Sequence, residues 1–369
     1  MTRLGAAAAL VDGEIVPGDV EIDEGRVALV GVSPAGRGGL AAPGFVDLQV
    51  NGFGGVDLLG ADPDGYRTAG EALVRTGVTA YQPTFITAPE ERLVAAVRVM
   101  ETARRHGGGG GEVLPRIVGA HLEGPFLSRQ RLGTHPAGPR RDPERGLLER
   151  IVSAGHVTTV TLAPELPGAL ELVDLLRGRG ILVSAGHTDA DAETAHAAFD
   201  RGVRAVTHLF NAMTRMTPRR PGVVGVALTR DDVVVTLIVD GHHLAAETVK
   251  LAWRAAAGRL ALVTDAIAAA GVGDGSYRLG DVTVEVVDGE ARREDGTLAG
   301  SALTMIDAVR NLHRLGVPLA DALDAAAAVP ARLLQRGDLG VLRPGARADL
   351  VVLDDRLELR RVLVSGTQT

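Results

Sequence analysis

Two histidines and two carboxylates, Glu123, His187, His208 and Asp265, each lie at the carboxyl end of an apolar, β-branched run. Two neutral imidazoles and one carboxylate are a common ligand set for a catalytic divalent metal, with positions left for water and substrate. A carboxylate outside that set can take a proton from the water and pass it to a leaving group. The pattern indicates metal-assisted hydrolysis with Asp265 as the base, although scattered histidines and glutamates also serve as helix caps and buried hydrogen-bond partners.

The segment GAHLEGPFLS at 119–128 places an imidazole and a carboxylate two residues apart, so His121 and Glu123 point the same way on an extended chain. A strand that ends at Gly124 puts Glu123 at the rim and His121 one layer deeper, as a hydrogen-bonded supporting residue. Glu165, in APELPG, either binds the metal, lines the pocket or organises its loop. Asp189 is predicted to cap the following helix, DAETAHAAF.

The elements that must position these residues are eight apolar runs, most of them separated by helix-like segments that end in Arg or Gly. Eight strand–helix units in about 250 residues predict a (β/α)8 barrel, whose active sites form at the carboxyl ends of the strands. The glycine run at 107–111 is predicted to be a surface loop, because no helix follows it. The runs are GFVDLQV, TAYQPTF, RIVGAHLE, VTTVTLAPE, ILVSAGHT, AVTHLF, VVVTLIVD and LALVTDA.

Both ends of the chain have a different pattern, with short strands of period two separated by turns. We expect the two ends to pair into one small β-sandwich-like domain, formed by residues 1–43 and 339–369, around a barrel at 44–338. A hairpin pattern between Gly271 and Thr297 indicates an insertion after the eighth barrel strand.

The composition excludes several classes of chemistry. Lys250 is the single lysine and lies in a helix-like stretch, and cysteine is absent, so neither a Schiff base nor a thiolate is available to a catalytic site. A net charge of -7 argues against nucleic acid and anionic membranes as partners. No apolar run approaches the ~20 residues that span a bilayer, and we expect a cytoplasmic enzyme.

The motifs HLEGPFL, GHTDA, THLFNAM and LVTDA together closely resemble those of the N-acetylglucosamine-6-phosphate deacetylases in the amidohydrolase superfamily. The resemblance covers essentially the whole chain, from PGFVDLQVNGFGG through GTHPAG, TLAPE, DGHHL and AGSALTM to PARLL and GVLRPGARADLVVLD. It implies a barrel with a small β domain made from both termini. It also implies metal-dependent hydrolysis of the N-acetyl group from a 6-phosphorylated amino sugar.

The resemblance implies a role for each matching residue. Glu123, His187 and His208 match the metal ligands, and Asp265 matches the catalytic acid–base. His135, in GTHPAG, matches the residue that meets the acetyl carbonyl and stabilises the oxyanion. The implied substrate contacts are Thr134, His135, Asn211, Ala212, Arg219, His243, Ala299, Gly300 and Ser301.

Two of these assignments carry a qualification. His243 matches a histidine that contacts phosphate from the neighbouring subunit, which implies a homodimer. The sequence alone does not distinguish Arg219 from Arg220 as the phosphate contact, although the spacing to PG favours Arg219. The role of His242 stays open.

The sequence departs from many amidohydrolases at the end of the first strand, where a His-x-His pair binds a second metal. Gln49 and Asn51 occupy those positions here, and amides are poor ligands for transition metals. We therefore predict one divalent metal per chain, with zinc favoured over iron, manganese or cobalt. Two alternative functions are deacetylation of another amino-sugar phosphate, such as N-acetylgalactosamine 6-phosphate, and non-catalytic binding of a sugar phosphate beside a metal.

Overall fold

The fold was analysed in a computed structural model, which describes residues 1–107 and 113–369. Apart from Gly107, the predicted glycine loop lies outside the described residues. The strands that precede the first helix are β1 (Thr2–Arg3), β2 (Ala8–Val11), β3 (Glu14–Pro17), β4 (Asp19–Asp23), β5 (Arg26–Val32), β6 (Leu40–Pro43), β7 (Phe45–Val50), β8 (Gly52–Phe53) and β9 (Val56–Asp57).

Strands and helices then alternate through the middle of the chain. These elements are α1 (Pro63–Val74), β10 (Val78–Ile86), α2 (Glu90–His106), β11 (Arg116–Ile117), β12 (Ala120–Glu123), α3 (Arg145–Val152), β13 (Val157–Leu162), α4 (Ala169–Gly178), β14 (Leu182–Ala185), α5 (Ala192–Arg201), β15 (Ala205–Val206), α6 (Gly222–Thr229), β16 (Val234–Leu237), α7 (Ala246–Ala255) and β17 (Leu260–Leu262).

The last part of the chain returns to short strands after three further helices. Its elements are β18 (Gly275–Leu279), β19 (Val282–Val287), β20 (Glu290–Arg292), α8 (Met305–Arg314), α9 (Leu319–Ala326), α10 (Ala328–Leu333), β21 (Leu350–Leu353), β22 (Leu359–Val364) and β23 (Thr367–Gln368).

Eight parallel strands form the barrel, in the order β7, β10, β12, β13, β14, β15, β16 and β17. A parallel bridge between Val50 and Ala266 joins the first strand to the segment after the eighth, and the Asn51 N–H donates to the Ala266 carbonyl at 2.8 Å. Strands β7 and β10 are buried along their whole length, as expected for parallel strands covered on both faces. All eight apolar runs are barrel strands, and the predicted fold class is confirmed.

Strands from both ends of the chain share one sheet, with β6 paired to β2 on one side and to β21 on the other. This six-stranded sheet packs on a three-stranded sheet of β1, β4 and β5. Val20 and Val27 from the smaller sheet lie in the same buried cluster as Ala41 and Leu350 from the larger one. The hairpin predicted after the eighth strand is the antiparallel sheet β18–β20. Among the described residues, no helix is long and apolar enough to cross a membrane.

The start of α5 differs by two residues from the prediction. Asp191 caps this helix by accepting from the Thr194 N–H at 2.8 Å. Asp189, the predicted cap, instead accepts from the Arg131 guanidinium at 2.8 Å and the Thr214 hydroxyl at 3.0 Å. The prediction was wrong because both aspartates precede the helical pattern. The contacts of Asp189 with Arg131 and Thr214, which the sequence does not show, leave Asp191 as the cap.

Candidate metal-binding active site

Three side chains converge at the carboxyl mouth of the barrel. The Glu123 Oε1 atom lies 3.1 Å from His187 Nε2 and 3.0 Å from His208 Nε2, and these two nitrogens are 3.1 Å apart. The sides of this triangle match the roughly 3 Å that separates neighbouring ligand atoms around one ion when each metal–ligand distance is ~2.1 Å. The three residues, all buried, therefore fit a single divalent metal.

The backbone turns each of the later site residues into the mouth. His187, His208 and Asp265 come two or three residues after the ends of β14, β15 and β17, and each has a positive φ, of 49°, 32° and 50°. Residues other than glycine rarely adopt this left-handed backbone conformation. Strained residues of this kind concentrate at functional sites. The strand ends thus aim both imidazoles and the carboxylate at one point.

The second nitrogen of His187 fixes the orientation of its ring. Nδ1 donates to the Arg131 carbonyl at 2.8 Å, so the lone pair of the neutral imidazole lies on Nε2, which faces Glu123. The Arg131 side chain is held by its ion pair with Asp189 at 2.6 Å. Glu165 accepts from the Asp189 N–H at 2.7 Å and therefore organises this loop, one of the three roles left open by the sequence.

Asp265 faces the cluster from the opposite side of the mouth. Its Oδ1 accepts from Gln49 Nε2 at 3.0 Å and from Asn51 Nδ2 at 2.7 Å. The same Gln49 amide nitrogen is 3.2 Å from Glu123 Oε1. Burial, followed by the charge of Glu123, raises the pKa of Asp265 from 3.8 to about 6. A carboxylate with a pKa near neutrality is suited to taking and returning a proton.

Asp47 supports Gln49 and Asp265 through hydrogen bonds deeper in the barrel. The sequence analysis did not predict this role. Its carboxylate accepts from the Thr264 hydroxyl at 2.6 Å and from the Gln49 N–H at 3.2 Å, and thus links the first strand to the eighth beneath Asp265. Burial raises the pKa of Asp47 to about 7. The signal was present, because Asp47 precedes Gln49 by two residues and shares its face of the strand.

His135 lies beside the cluster, with its ring centroid 4.3 Å from that of His187. Its Nε2 is 3.7 Å from Glu123 Oε2, which is longer than the sides of the ligand triangle. A second grouping, of Glu123, His135 and His187, also brings one possible ligand atom from each residue within 4.8 Å. We favour the set with His208 because its atoms are closer together. Burial, followed by the charge of His187, holds the pKa of His135 well below its usual value.

Thr134 and Asn51 each present an unused oxygen in this region. Among the described residues, the Thr134 hydroxyl and the Asn51 Oδ1 are buried and have no hydrogen-bond partner. Such atoms are uncommon in folded proteins, because desolvation without a partner is costly. Both oxygens are therefore available to a polar ligand.

His121 has both ring nitrogens occupied below the cluster. Nδ1 donates to the Leu48 carbonyl at 3.1 Å, and Nε2 accepts from the Thr161 hydroxyl at 2.7 Å. The hydroxyls of Thr161 and Thr207 are in turn 2.7 Å apart. This network confirms that His121 is a hydrogen-bonded residue of the barrel interior.

The candidate phosphate contacts follow β15. Asn211 donates from its amide to the His208 carbonyl at 3.2 Å, and Ala212 has a positive φ of 49°. Arg219 is exposed and, within 1–107 and 113–369, forms no ion pair. The charge of the neighbouring Arg220 acts instead on Asp189 and Asp191, whose pKa values it helps to lower.

The ring of His243 is held by Asp240, three residues earlier in the chain. Nδ1 is 2.7 Å from Asp240 Oδ2, the side chain is 6% exposed, and its charge acts to lower the pKa of Asp265. The Asp240 carboxylate also accepts from the His243 N–H at 2.9 Å, and the reach of His243 to a neighbouring subunit stays a prediction. His242 is directed away, 3.9 Å from Glu290.

Gly300 and Ser301 pack against the segment that carries Asp265, and the N–H of Ala299 before them donates to the Ala291 carbonyl at 3.0 Å. The Ser301 N–H donates to the Asp265 carbonyl at 2.9 Å, and its hydroxyl donates to the Thr264 carbonyl at 2.5 Å. A Cβ on Gly300 would lie 2.8 Å from the Asp265 carbonyl oxygen, so glycine is required for this close approach. Gly300 and Ser301 therefore support the backbone of Asp265.

The sequence profile of the Amidohydrolase family matches residues 40–368. The chain belongs to the amidohydrolase family. It is 38% identical to the human N-acetylglucosamine-6-phosphate deacetylase over 95% of this chain and 88% of that protein. It is 37% identical to the N-acetylgalactosamine-6-phosphate deacetylase of Escherichia coli O157:H7, over 89% of this chain and 87% of that protein.

A solved structure of the same family has a closely similar fold. It is the N-acetyl-D-glucosamine-6-phosphate deacetylase of Mycobacterium smegmatis, an aspartate-to-alanine mutant in complex with N-acetyl-D-glucosamine-6-phosphate. The TM-score is 0.92 at 37% identity, over 98% of this chain and 97% of that one. The resemblance stated from the sequence motifs is confirmed, and the chain is a hydrolase that acts on amide bonds.

Proposed function

We propose that the protein hydrolyses the N-acetyl group of N-acetylglucosamine 6-phosphate, releasing acetate and glucosamine 6-phosphate, in the breakdown or recycling of amino sugars. The observation that carries this proposal is the convergence of Glu123, His187 and His208 opposite Asp265 at one mouth of the barrel. The names of the relatives support the choice of substrate.

Glu123, His187 and His208 would hold one divalent metal, with zinc favoured and iron, manganese or cobalt also compatible. When bound, such a metal polarises a carbonyl oxygen and lowers the pKa of water. Asp265 accepts a proton from the attacking water as a new C–O bond forms at the acetyl carbon. Asp265 then returns the proton to the sugar nitrogen as the C–N bond breaks.

His135 is assigned to the carbonyl oxygen of the acetyl group. A donor held beside that oxygen stabilises the negative charge that develops on it during attack, and a buried site strengthens the interaction. The position of His135 against Glu123 and His187 supports this role. Thr134, with a free buried hydroxyl in the same loop, is assigned to the substrate.

We assign Asn211, Ala212 and Arg219 to the phosphate. An exposed arginine that forms no ion pair with the described part of the chain suits a phosphate monoester in a protein with one lysine. His243, whose ring is held by Asp240, is assigned to the phosphate of the neighbouring subunit's substrate, and Ala299, Gly300 and Ser301 are assigned to the sugar.

The protein is further proposed to be a cytoplasmic homodimer in which His243 reaches the neighbouring subunit's site. Met216, which is 48% exposed in the loop after β15, supports an apolar contact between the subunits. The division into a barrel at 44–338 and a β domain from residues 1–43 and 339–369 is supported by the pairing of β6 with β21.

Deacetylation of N-acetylgalactosamine 6-phosphate is a second candidate, because a relative of that name matches at 37% identity over 89% of this chain. The two substrates differ only in the configuration of the C4 hydroxyl. The chemistry at the acetyl group is the same for both.

The test is acetate release by the purified protein from both 6-phosphorylated sugars and from unphosphorylated N-acetylglucosamine, with metal content measured on the same sample. The proposal expects the highest kcat/KM for N-acetylglucosamine 6-phosphate. Higher kcat/KM for the galactose epimer would select the second candidate. Tight binding of both sugar phosphates without acetate release would identify a non-catalytic binding protein.

A further inference from the structure

Two polar groups of Thr87 approach the same ring nitrogen of His135. Its Nδ1 accepts from the backbone N–H of Thr87 at 3.2 Å and lies 2.9 Å from the Thr87 hydroxyl. A backbone N–H can only donate, so Nδ1 must present a lone pair. The single proton of the neutral imidazole is therefore on Nε2, and an imidazolium, with protons on both nitrogens, does not fit.

This tautomer separates His135 from the metal ligands. His187 donates from Nδ1 and keeps its Nε2 lone pair, whereas His135 accepts at Nδ1 and carries a proton on Nε2. An Nε2–H group cannot bind a metal, but it can donate to a carbonyl oxygen. The two rings are 4.3 Å apart. At Nε2, His187 therefore presents a lone pair and His135 presents an N–H donor.

Thr87 is well placed to impose this polarity. It is the first residue after β10, it is buried, and its hydroxyl also lies 3.4 Å from the Glu123 carbonyl oxygen. A Cβ on Gly124 would lie 2.3 Å from the Thr87 hydroxyl, so the glycine that follows Glu123 leaves the space that this hydroxyl occupies. Thr87 consequently joins the strand end of one ligand to the loop that carries His135.

We propose that Thr87 is a positioning residue that keeps His135 in the Nε2–H tautomer and directs this N–H at the acetyl carbonyl oxygen. The proposal rests on the deacetylase function for its kinetic consequence, whereas the tautomer itself can be measured independently of activity. Thr87 does not touch the substrate and acts through His135.

The experiment compares the wild type with Thr87→Val and Thr87→Ser, all zinc-loaded, with ¹⁵N-labelled histidine rings. The His135 resonances are assigned by their absence in His135→Gln. Valine keeps the shape and the backbone N–H but removes the hydroxyl. We expect a protonated Nε2 and a bare Nδ1 in the wild type, and in Thr87→Val a shift of Nδ1 toward the frequency of a nitrogen with fewer hydrogen bonds.

Kinetics on the same samples measure the consequence. Thr87→Val is expected to lower kcat about tenfold with KM within about twofold, because the donor acts on the transition state more than on the bound substrate. Thr87→Ser restores kcat. Thr79→Val is the matched control, since Thr79 is a buried residue at the other end of β10 whose hydroxyl, among the described residues, donates to the Phe45 carbonyl at 3.4 Å and does not bond a site residue.

Three results would overturn the proposal: a proton on Nδ1 in the wild type, a wild-type kcat in Thr87→Val, or a loss in Thr87→Val that comes with lost zinc or is not restored by serine. If the wild type releases no acetate from any substrate, the deacetylase function fails. The ring resonances still decide the tautomer in that case.

Discussion

The amide nitrogen of Gln49 lies 3.0 Å from Asp265 Oδ1, so a hydrogen-bond donor stands where many amidohydrolases have a histidine ligand. The same nitrogen also approaches Glu123 Oε1 at 3.2 Å. An NH₂ group between two carboxylates satisfies them both and repels a cation. This contact is the structural reason to expect one metal ion and not two.

The first prediction concerns metal content. The purified protein should hold about one equivalent of divalent metal per chain after dialysis, measured by elemental analysis. Gln49→His combined with Asn51→His replaces both amides with imidazoles and should raise the content toward two equivalents. Two tightly held equivalents in the wild type would contradict the assignment of Gln49 and Asn51.

Replacement of Asp265 should separate metal binding from turnover. Asp265→Asn keeps the hydrogen-bonding shape but cannot take a proton, so kcat should fall on the order of 10²–10⁴-fold with metal content unchanged. Binding of N-acetylglucosamine 6-phosphate, measured by calorimetry, should persist in this variant. Near-normal turnover would remove Asp265 from the role of base.

The acidity of Asp265 predicts the acid limb of the pH profile. Its pKa is raised from 3.8 to about 6 by burial and by Glu123, and the base must start as the carboxylate. The value of kcat/KM should therefore fall as the pH drops below about 6, roughly tenfold per unit. Because the substrate phosphate also titrates near pH 6, the control is unphosphorylated N-acetylglucosamine. If the fall in kcat/KM at low pH is absent with this substrate, protonation of the substrate phosphate causes the fall and not protonation of Asp265.

Arg219 and Arg220 form a matched pair for the phosphate site. Arg219→Ala should raise KM for the 6-phosphorylated substrate about 10- to 100-fold, the cost of a charged hydrogen bond, with a smaller effect on the unphosphorylated sugar. Arg220→Ala should change KM less than about twofold, because this charge faces Asp189 and Asp191. The opposite ranking would transfer the phosphate contact to Arg220.

Asp189 and Asp191 distinguish metal binding from helix stability. Asp189→Ala releases Arg131, whose carbonyl orients His187, and should weaken zinc affinity about 10- to 100-fold in competition with a chelator. Asp191→Ala removes the cap of α5 and should cost about 1 kcal/mol of unfolding free energy with zinc affinity unchanged. Equal zinc affinities in the two variants would show that Arg131 does not need Asp189.

The sequence was sufficient for the barrel because its strands and helices differ in hydrophobic period and length. It also indicated Glu123, His187, His208 and Asp265, since parallel strands bring their carboxyl ends to one mouth. Hydrogen-bond partners could not be predicted in the same way. Thr87 carries no local signal, because its contact with His135 joins residues 48 positions apart through a loop without a repeating pattern.

The position of His243 shows a second limit of the sequence. The motif DGHHL indicates a histidine for the phosphate, but it does not show that the His243 ring is held by Asp240, three residues earlier. Asp189 shows the same limit at α5. At α5 a short polar segment offers two equivalent caps, and the long-range contact of Asp189 with Arg131 selects the other one.

The contact between Gln49 and Asp265 also has a consequence for any division of the chain. Gln49 lies in the first barrel strand and Asp265 follows the eighth, while Glu123 belongs to the first half of the barrel and both proposed ligand histidines to the second. A half-barrel cut after the fourth strand would hold either the carboxylate ligand or the two imidazoles, but not the complete set. Neither fragment could hydrolyse an amide on its own, so catalysis in this chain requires all eight strands of the closed barrel.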